Sequence, residues 1–90
     1  MSKVKIEKLS SEEQNKRNIS NWPIWKKKRS RFDWFYEAEE ECLILKGHVV
    51  VETDEGIFHL KKGDFVTFSQ GLKCIWDIKE EIKKHYHFKE

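Results

Sequence analysis

Glu40, Cys42, Cys74, His85 and His87 are the residues of this chain best suited to chemistry, and their spacing is two. Glu40 lies two before Cys42, Cys74 two before Trp76, and His85 two before His87. Residues two apart on a strand share a face, so each pair points into one space. A carboxylate among apolar side chains is a candidate general acid or base, because burial disfavours its charged form. Glu40 can equally be neutralised by Lys73 or Lys84. A thiol becomes a nucleophile only when a base or cation lowers its pKa from ~8.5. His85 is the candidate partner for Cys74, with no third group in view to orient it; otherwise both thiols are buried and inert. His85-x-His87 also has the spacing of a metal pair on one strand. His48 and His59 fall near hairpin ends and read as surface or packing residues.

Strands must position these groups. Val4–Lys8 alternates and suits a short strand. Ser10 and Glu13 form a capping box, predicting a helix over about residues 11–18 that ends before Trp22-Pro23. Beyond it the period is two. IWKKKRS is an edge strand, and RFDWFYEAEEE holds a turn and the start of another. CLILKG is a buried strand closed by Gly47. HVVVET pairs with IFHL across DEG, a hairpin signal. FVTFS, KCIWDI and IKKHYHF follow as further strands. This pattern predicts an all-β sandwich or barrel.

Ninety residues make one domain: an N-terminal strand and helix over 1–22, then a barrel over 23–90. Four Trp and six Phe enlarge a core that would otherwise be thin. A net charge of +2 gives no one-sided basic field, so nucleic acid is not an expected partner. The run Lys26, Lys27, Lys28, Arg29, Arg31 reads as an edge strand protected from pairing. No apolar run reaches the ~18 residues of a membrane span, and the opening residues are polar, so the expected location is cytoplasmic and no membrane partner is expected. Two cysteines are too few for a disulfide scaffold.

The stretch from ECLILKG through LKKGDFVTFSQGLKC resembles the cupin superfamily, a double-stranded β-helix or jelly-roll barrel. Its first motif is histidine-x-histidine, three or four residues, glutamate, six residues, glycine. Glu40 and Gly47 match the last two. Its second motif is glycine, five residues, proline-x-glycine, two residues, histidine. Gly63 and Gly71 match the glycines, Asp64 matches the frequent aspartate, Ser69 replaces proline and Cys74 replaces histidine. With NWPIW, FDWFY, GLKC and KHY, the whole chain is similar to the short single-domain cupins grouped with the (S)-ureidoglycine aminohydrolase cupin domain.

Metal-binding members hold one divalent ion with three or four side chains. Counting back from Glu40 puts the histidine pair at Trp34 and Tyr36, or at Asp33 and Phe35. Neither offers two good ligands, so the resemblance implies a degenerate site and no firm cofactor. A divalent metal would be held weakly, by Glu40 and Cys74. By period two, Trp34, Tyr36, Glu40, Cys42 and Ile44 share an inward face if no bulge intervenes, and Cys74, Trp76 and Ile78 share another. The expected pocket is Trp34, Tyr36, Glu40, Cys42, Cys74, Trp76 and His85. It suits a small organic molecule. The alternative is an enzyme of the aminohydrolase or isomerase type using Glu40, with or without a weakly bound metal. A homodimer is the expected assembly, with Trp22, Trp25 and Phe32 as contact candidates.

Overall fold

Capping and turn chemistry set the first elements of the computed structural model, which describes residues 3–89. Strand β1 is Val4–Lys8. The backbone N–H of Glu13 donates to Ser10 Oγ at 3.2 Å, which starts helix α1, Ser11–Lys16. The helix is two residues shorter than the sequence predicts, because Asn18 takes a left-handed conformation (φ 59°) and stops it. A 3₁₀ turn, Ile19–Asn21, leads to the extended Trp22 before Pro23.

Six strands follow: β2 Ile24–Lys27, β3 Ser30–Phe35, β4 Glu39–Thr53, β5 Gly56–Lys61, β6 Asp64–Phe68 and β7 Lys73–Lys89. The fold is all-β with one short helix, as expected. Two details differ from the sequence reading. CLILKG and HVVVET are one strand, β4, and KCIWDI and IKKHYHF are one strand, β7.

These two long strands bend together and turn one antiparallel sheet into two layers. One layer runs β1-β6-β4-β7-β2, using the first part of β4 (Glu39–Ile44) and the last part of β7 (Ile82–Lys89). The other uses the remaining halves, flanked by β5 and β3. The register of β4 on β7 slips between Ile44 and Val49, which marks the bend. Gly47 (φ 99°) makes it. A Cβ there would lie 2.2 Å from the Glu81 carbonyl oxygen.

Alternation then sorts the side chains. Cys42, Ile44, Val49, Val51, Phe68, Trp76, Ile78 and Ile82 are in the main core. Leu43 and Phe65 point to the opposite face, where Ile19 of the 3₁₀ turn and the partly buried Leu9 and Trp22 cover them. The first half of β4 is thus buried on both faces, so it reads as an unbroken apolar run. β1 pairs with β6 along its whole length, so the N-terminal strand is an edge of the barrel itself.

Candidate functional site

Between the two layers lies a cavity of about 210 Å³. One layer contributes Phe32 and Trp34 of β3, Tyr36 just after it, and Trp76 of β7. The other contributes Trp25 of β2, Glu40 of β4, and Lys84, Tyr86 and Phe88 of β7. Trp34 and Phe88 are more than two-fifths exposed and flank the opening.

Glu40 and Lys84 form the polar part of the wall. The Lys84 ammonium donates to Glu40 Oε2 at 2.9 Å, and both residues are buried, at 5% and 3% exposure respectively. Lys84 Nζ also sits 4.6 Å from the Trp76 ring centroid and 5.1 Å from that of Trp25. Two aromatic faces and a carboxylate therefore replace the water an ammonium loses on burial. The aromatic wall is interlocked. Trp76 Nε1 donates to Tyr36 Oη at 3.1 Å, and Tyr36 stacks on Phe68 at 4.7 Å. Trp76 meets Trp25 in a T-shaped contact at 6.0 Å and stacks with Phe32 at 6.3 Å.

The acidic protons around this cavity are held firmly. Burial pushes the Tyr36 phenol well above its ordinary value, with the charges of Glu40 and the two thiols adding to the effect. Burial likewise raises the Cys42 thiol to about 12; nearby Lys84 opposes the shift and Glu40 adds to it. Cys74 is raised to about 11 by burial and by Glu40. Neither thiol is poised as a nucleophile.

Of the seven expected pocket residues, four line the cavity: Trp34, Tyr36, Glu40 and Trp76. Cys42 is packed into the core behind it. Cys74 is also buried, and what remains of its surface borders a separate open groove with Leu72 and Asp33. His85 is on the other face of β7, with Nδ1 2.9 Å from the Trp22 carbonyl oxygen. His87 stacks on the Trp22 ring at 5.1 Å. His85 therefore serves neither Cys74 nor the cavity, because odd and even positions of one strand face opposite ways. His48 and His59 lie beside each other on the β4–β5 hairpin, with Nε2 of one and Nδ1 of the other 3.1 Å apart.

Of the two lysines the sequence offers as partners for Glu40, Lys84 is the one that pairs with it; its place in the cavity wall, and Tyr86 and Phe88, are not assigned by the sequence reading. The signal for them is the alternation 76, 78, 82, 84, 86, 88, which becomes visible only when β7 is read as one strand. Trp25 and Phe32, expected as dimer contacts, line the cavity, and Trp22 packs over Phe65 and His87.

A divalent metal does not fit this donor set. Among the described residues, no group of three His, Cys, Asp or Glu side chains converges. The motif position that keeps its carboxylate, Glu40, already holds a cation, the Lys84 ammonium.

Residues 15–86 match the EutQ-like cupin domain. Among solved structures, a DUF861 family protein from Thermotoga maritima is 45% identical, with TM-score 0.92 over 96% of this chain and 99% of that one. A DUF861 family protein from Pseudomonas syringae is 22% identical, with TM-score 0.67 over 73% of this chain and 29% of that one. The EutQ protein of Clostridium difficile is 17% identical, with TM-score 0.68 over 94% of this chain and 66% of that one. No curated protein matches. By the span of the domain match and the identity to the Thermotoga protein, the chain belongs to the EutQ-like cupin domain family.

Proposed function

We propose that this domain binds one small, mostly apolar organic molecule between its two sheet layers, without a metal. The observation that carries this reading is the open aromatic cavity with a single charged pair in its wall. Apolar walls supply burial, and a few polar groups fix orientation. At about 210 Å³ the cavity is below the ~300–1,000 Å³ typical of sites for drug-sized ligands, so the ligand is a small metabolite. Flat rings suit it best, since Trp25, Trp76 and Phe32 offer both edges and faces.

Thermal unfolding in the presence of a small-metabolite panel tests this. A ligand that binds only the folded chain must raise Tm. Trp34→Ala at the opening is expected to weaken that shift without unfolding the protein, because Trp34 is half exposed. A flat Tm across aromatic, aliphatic and charged compounds would refute the binding reading.

The aminohydrolase or isomerase reading uses the same wall. One observation favours it: Glu40 and Lys84 place a proton acceptor and a proton donor 2.9 Å apart beside the cavity. Support for the particular aminohydrolase subgroup is the sequence resemblance described above. Glu40→Gln must abolish any turnover found; an active variant would exclude this chemistry.

A further inference from the structure

Lys84 is the one buried lysine among the described residues, yet it borders an open cavity. A buried amine is costly, and a structural role alone would be served by a fully packed surround. The other nucleophilic groups near the cavity are unsuited to attack. Cys42 and Cys74 stay protonated, and the Tyr36 oxygen is engaged by Trp76 Nε1.

We propose that Lys84 captures small aldehydes or ketones as a protonated imine, with Glu40 moving the protons. The inference rests on the binding reading and names its ligand class. Lys84 passes one ammonium proton to the Glu40 carboxylate, which is 2.9 Å away. The freed Nζ lone pair attacks the carbonyl carbon; a C–N bond forms and the C=O π pair moves to oxygen. Through Glu40 a proton leaves nitrogen and reaches that oxygen, giving a carbinolamine. Protonated Glu40 then delivers its proton to the hydroxyl, which departs as water while the nitrogen lone pair closes the C=N bond. The products are one iminium, one water and the original Glu40 carboxylate, so charge and atoms balance.

The surroundings suit each step. The iminium carries its positive charge where the ammonium did, between Trp25, Trp76 and Glu40, so the contacts that hold Lys84 hold the adduct as well. Apolar walls limit the water that would hydrolyse it. A lysine in an apolar pocket is a recurrent amine nucleophile toward carbonyl compounds.

Time-resolved reductive trapping tests the proposal. The intact folded protein is treated with benzaldehyde and cyanoborohydride, and each lysine is followed by peptide mass mapping. Burial alone dictates that Lys84 reacts last. Capture in the cavity makes it react first, on the order of tenfold faster than the exposed lysines, because the bound carbonyl is held beside Nζ. Benzyl alcohol, which has the same ring and no carbonyl, is expected to slow labelling at Lys84 and nowhere else. Glu40→Gln is expected to slow labelling at Lys84 and to leave the rates of the exposed lysines, followed in the same digest, unchanged. Lys84 labelled last, or never, overturns the proposal. The benzyl alcohol Tm shift, measured alongside, separates that failure from a failure of the binding reading. Because the site is mapped in the unmodified chain, the result does not depend on a Lys84 variant that folds.

Discussion

At the scale of single residues, the Glu40–Lys84 pair is where stability and function diverge. Removing one member leaves the other buried and unpartnered, which costs about 3–5 kcal/mol. Lys84→Met is therefore expected to lower the urea midpoint strongly. The double variant Glu40→Leu with Lys84→Met should recover most of that loss, since well-packed apolar pairs often match or exceed a buried ion pair. Equilibrium unfolding of the two singles and the double closes the cycle; a double variant as weak as Lys84→Met would show that the pair is needed for folding itself. Cys42 gives a second outcome at this scale. Its folded thiol is pushed up to about 12, so the folded state holds the proton more tightly than the unfolded chain does. That contribution is fully present below about pH 9 and is lost as pH rises toward 12, on the order of 4 kcal/mol in all. Cys42→Ala should flatten the stability–pH profile above pH 9 relative to the parent chain, as read from urea midpoints. At this scale much of the site is legible in the sequence. Alternation alone places Trp34, Tyr36, Glu40 and Trp76 on the cavity side. Lys84 is legible only as one of two possible partners for Glu40, because a lysine in a KK pair is ordinarily a solvent residue, and its neighbours in space, Glu40, Trp25 and Trp76, make it otherwise.

At the scale of elements, the bend at Gly47 decides how the strands are read. The polar run Lys79-Glu80-Glu81 resembles a turn, and Gly47 resembles a strand end, so the sequence divides β4 and β7 into four pieces. Physically they are the corner of the sheet: the chain continues extended, the register slips, and side chains at the corner face water. Turn residues mark the change of direction correctly, but they do not tell a break from a bend. The same break hides Tyr86, Phe88 and the place of Lys84 in the cavity wall, since alternation has to continue across the corner to reach them. Gly47→Ala is expected to cost roughly 2–5 kcal/mol, from a left-handed backbone position plus a Cβ driven into the Glu81 carbonyl. In a chain of this size that is a Tm drop of about 10 °C or more. Gly56→Ala is the control, because it shares a positive φ but has nothing within 4 Å of the added carbon. Equal losses at the two positions would show that backbone strain, and not the close approach of β4 to β7, accounts for the effect.

At the scale of the whole molecule, the N-terminal segment and the barrel form one structure. Reading residues 1–22 apart from 23–90 follows the composition, because a helix interrupts the strand pattern. The packing joins them. β1 closes the outer edge of β6, and Ile19 and Trp22 cover Leu43 and Phe65 on the outer face of the same layer. This layer also holds Glu40 and Lys84, so the cover that completes the N-terminal half steadies the cavity wall from behind. Without β1, the strand Asp64–Phe68 would present an open, mostly apolar edge, which is a template for pairing with another chain. A chain beginning at Leu9 is therefore expected to lose about 3 kcal/mol or more. Part of that is the burial of Val4, ~1.5–3 kcal/mol for a fully buried aliphatic side chain, and the rest is the strand pairing. It should also associate, with the mass from light scattering rising with concentration. Adding a polar peptide spanning Lys3–Lys8 in trans should reverse both effects, since it restores the missing edge. A truncated chain that stays stable and does not change mass with concentration would mean that β6 holds its edge unaided, and that the cavity layer does not depend on the N-terminal strand.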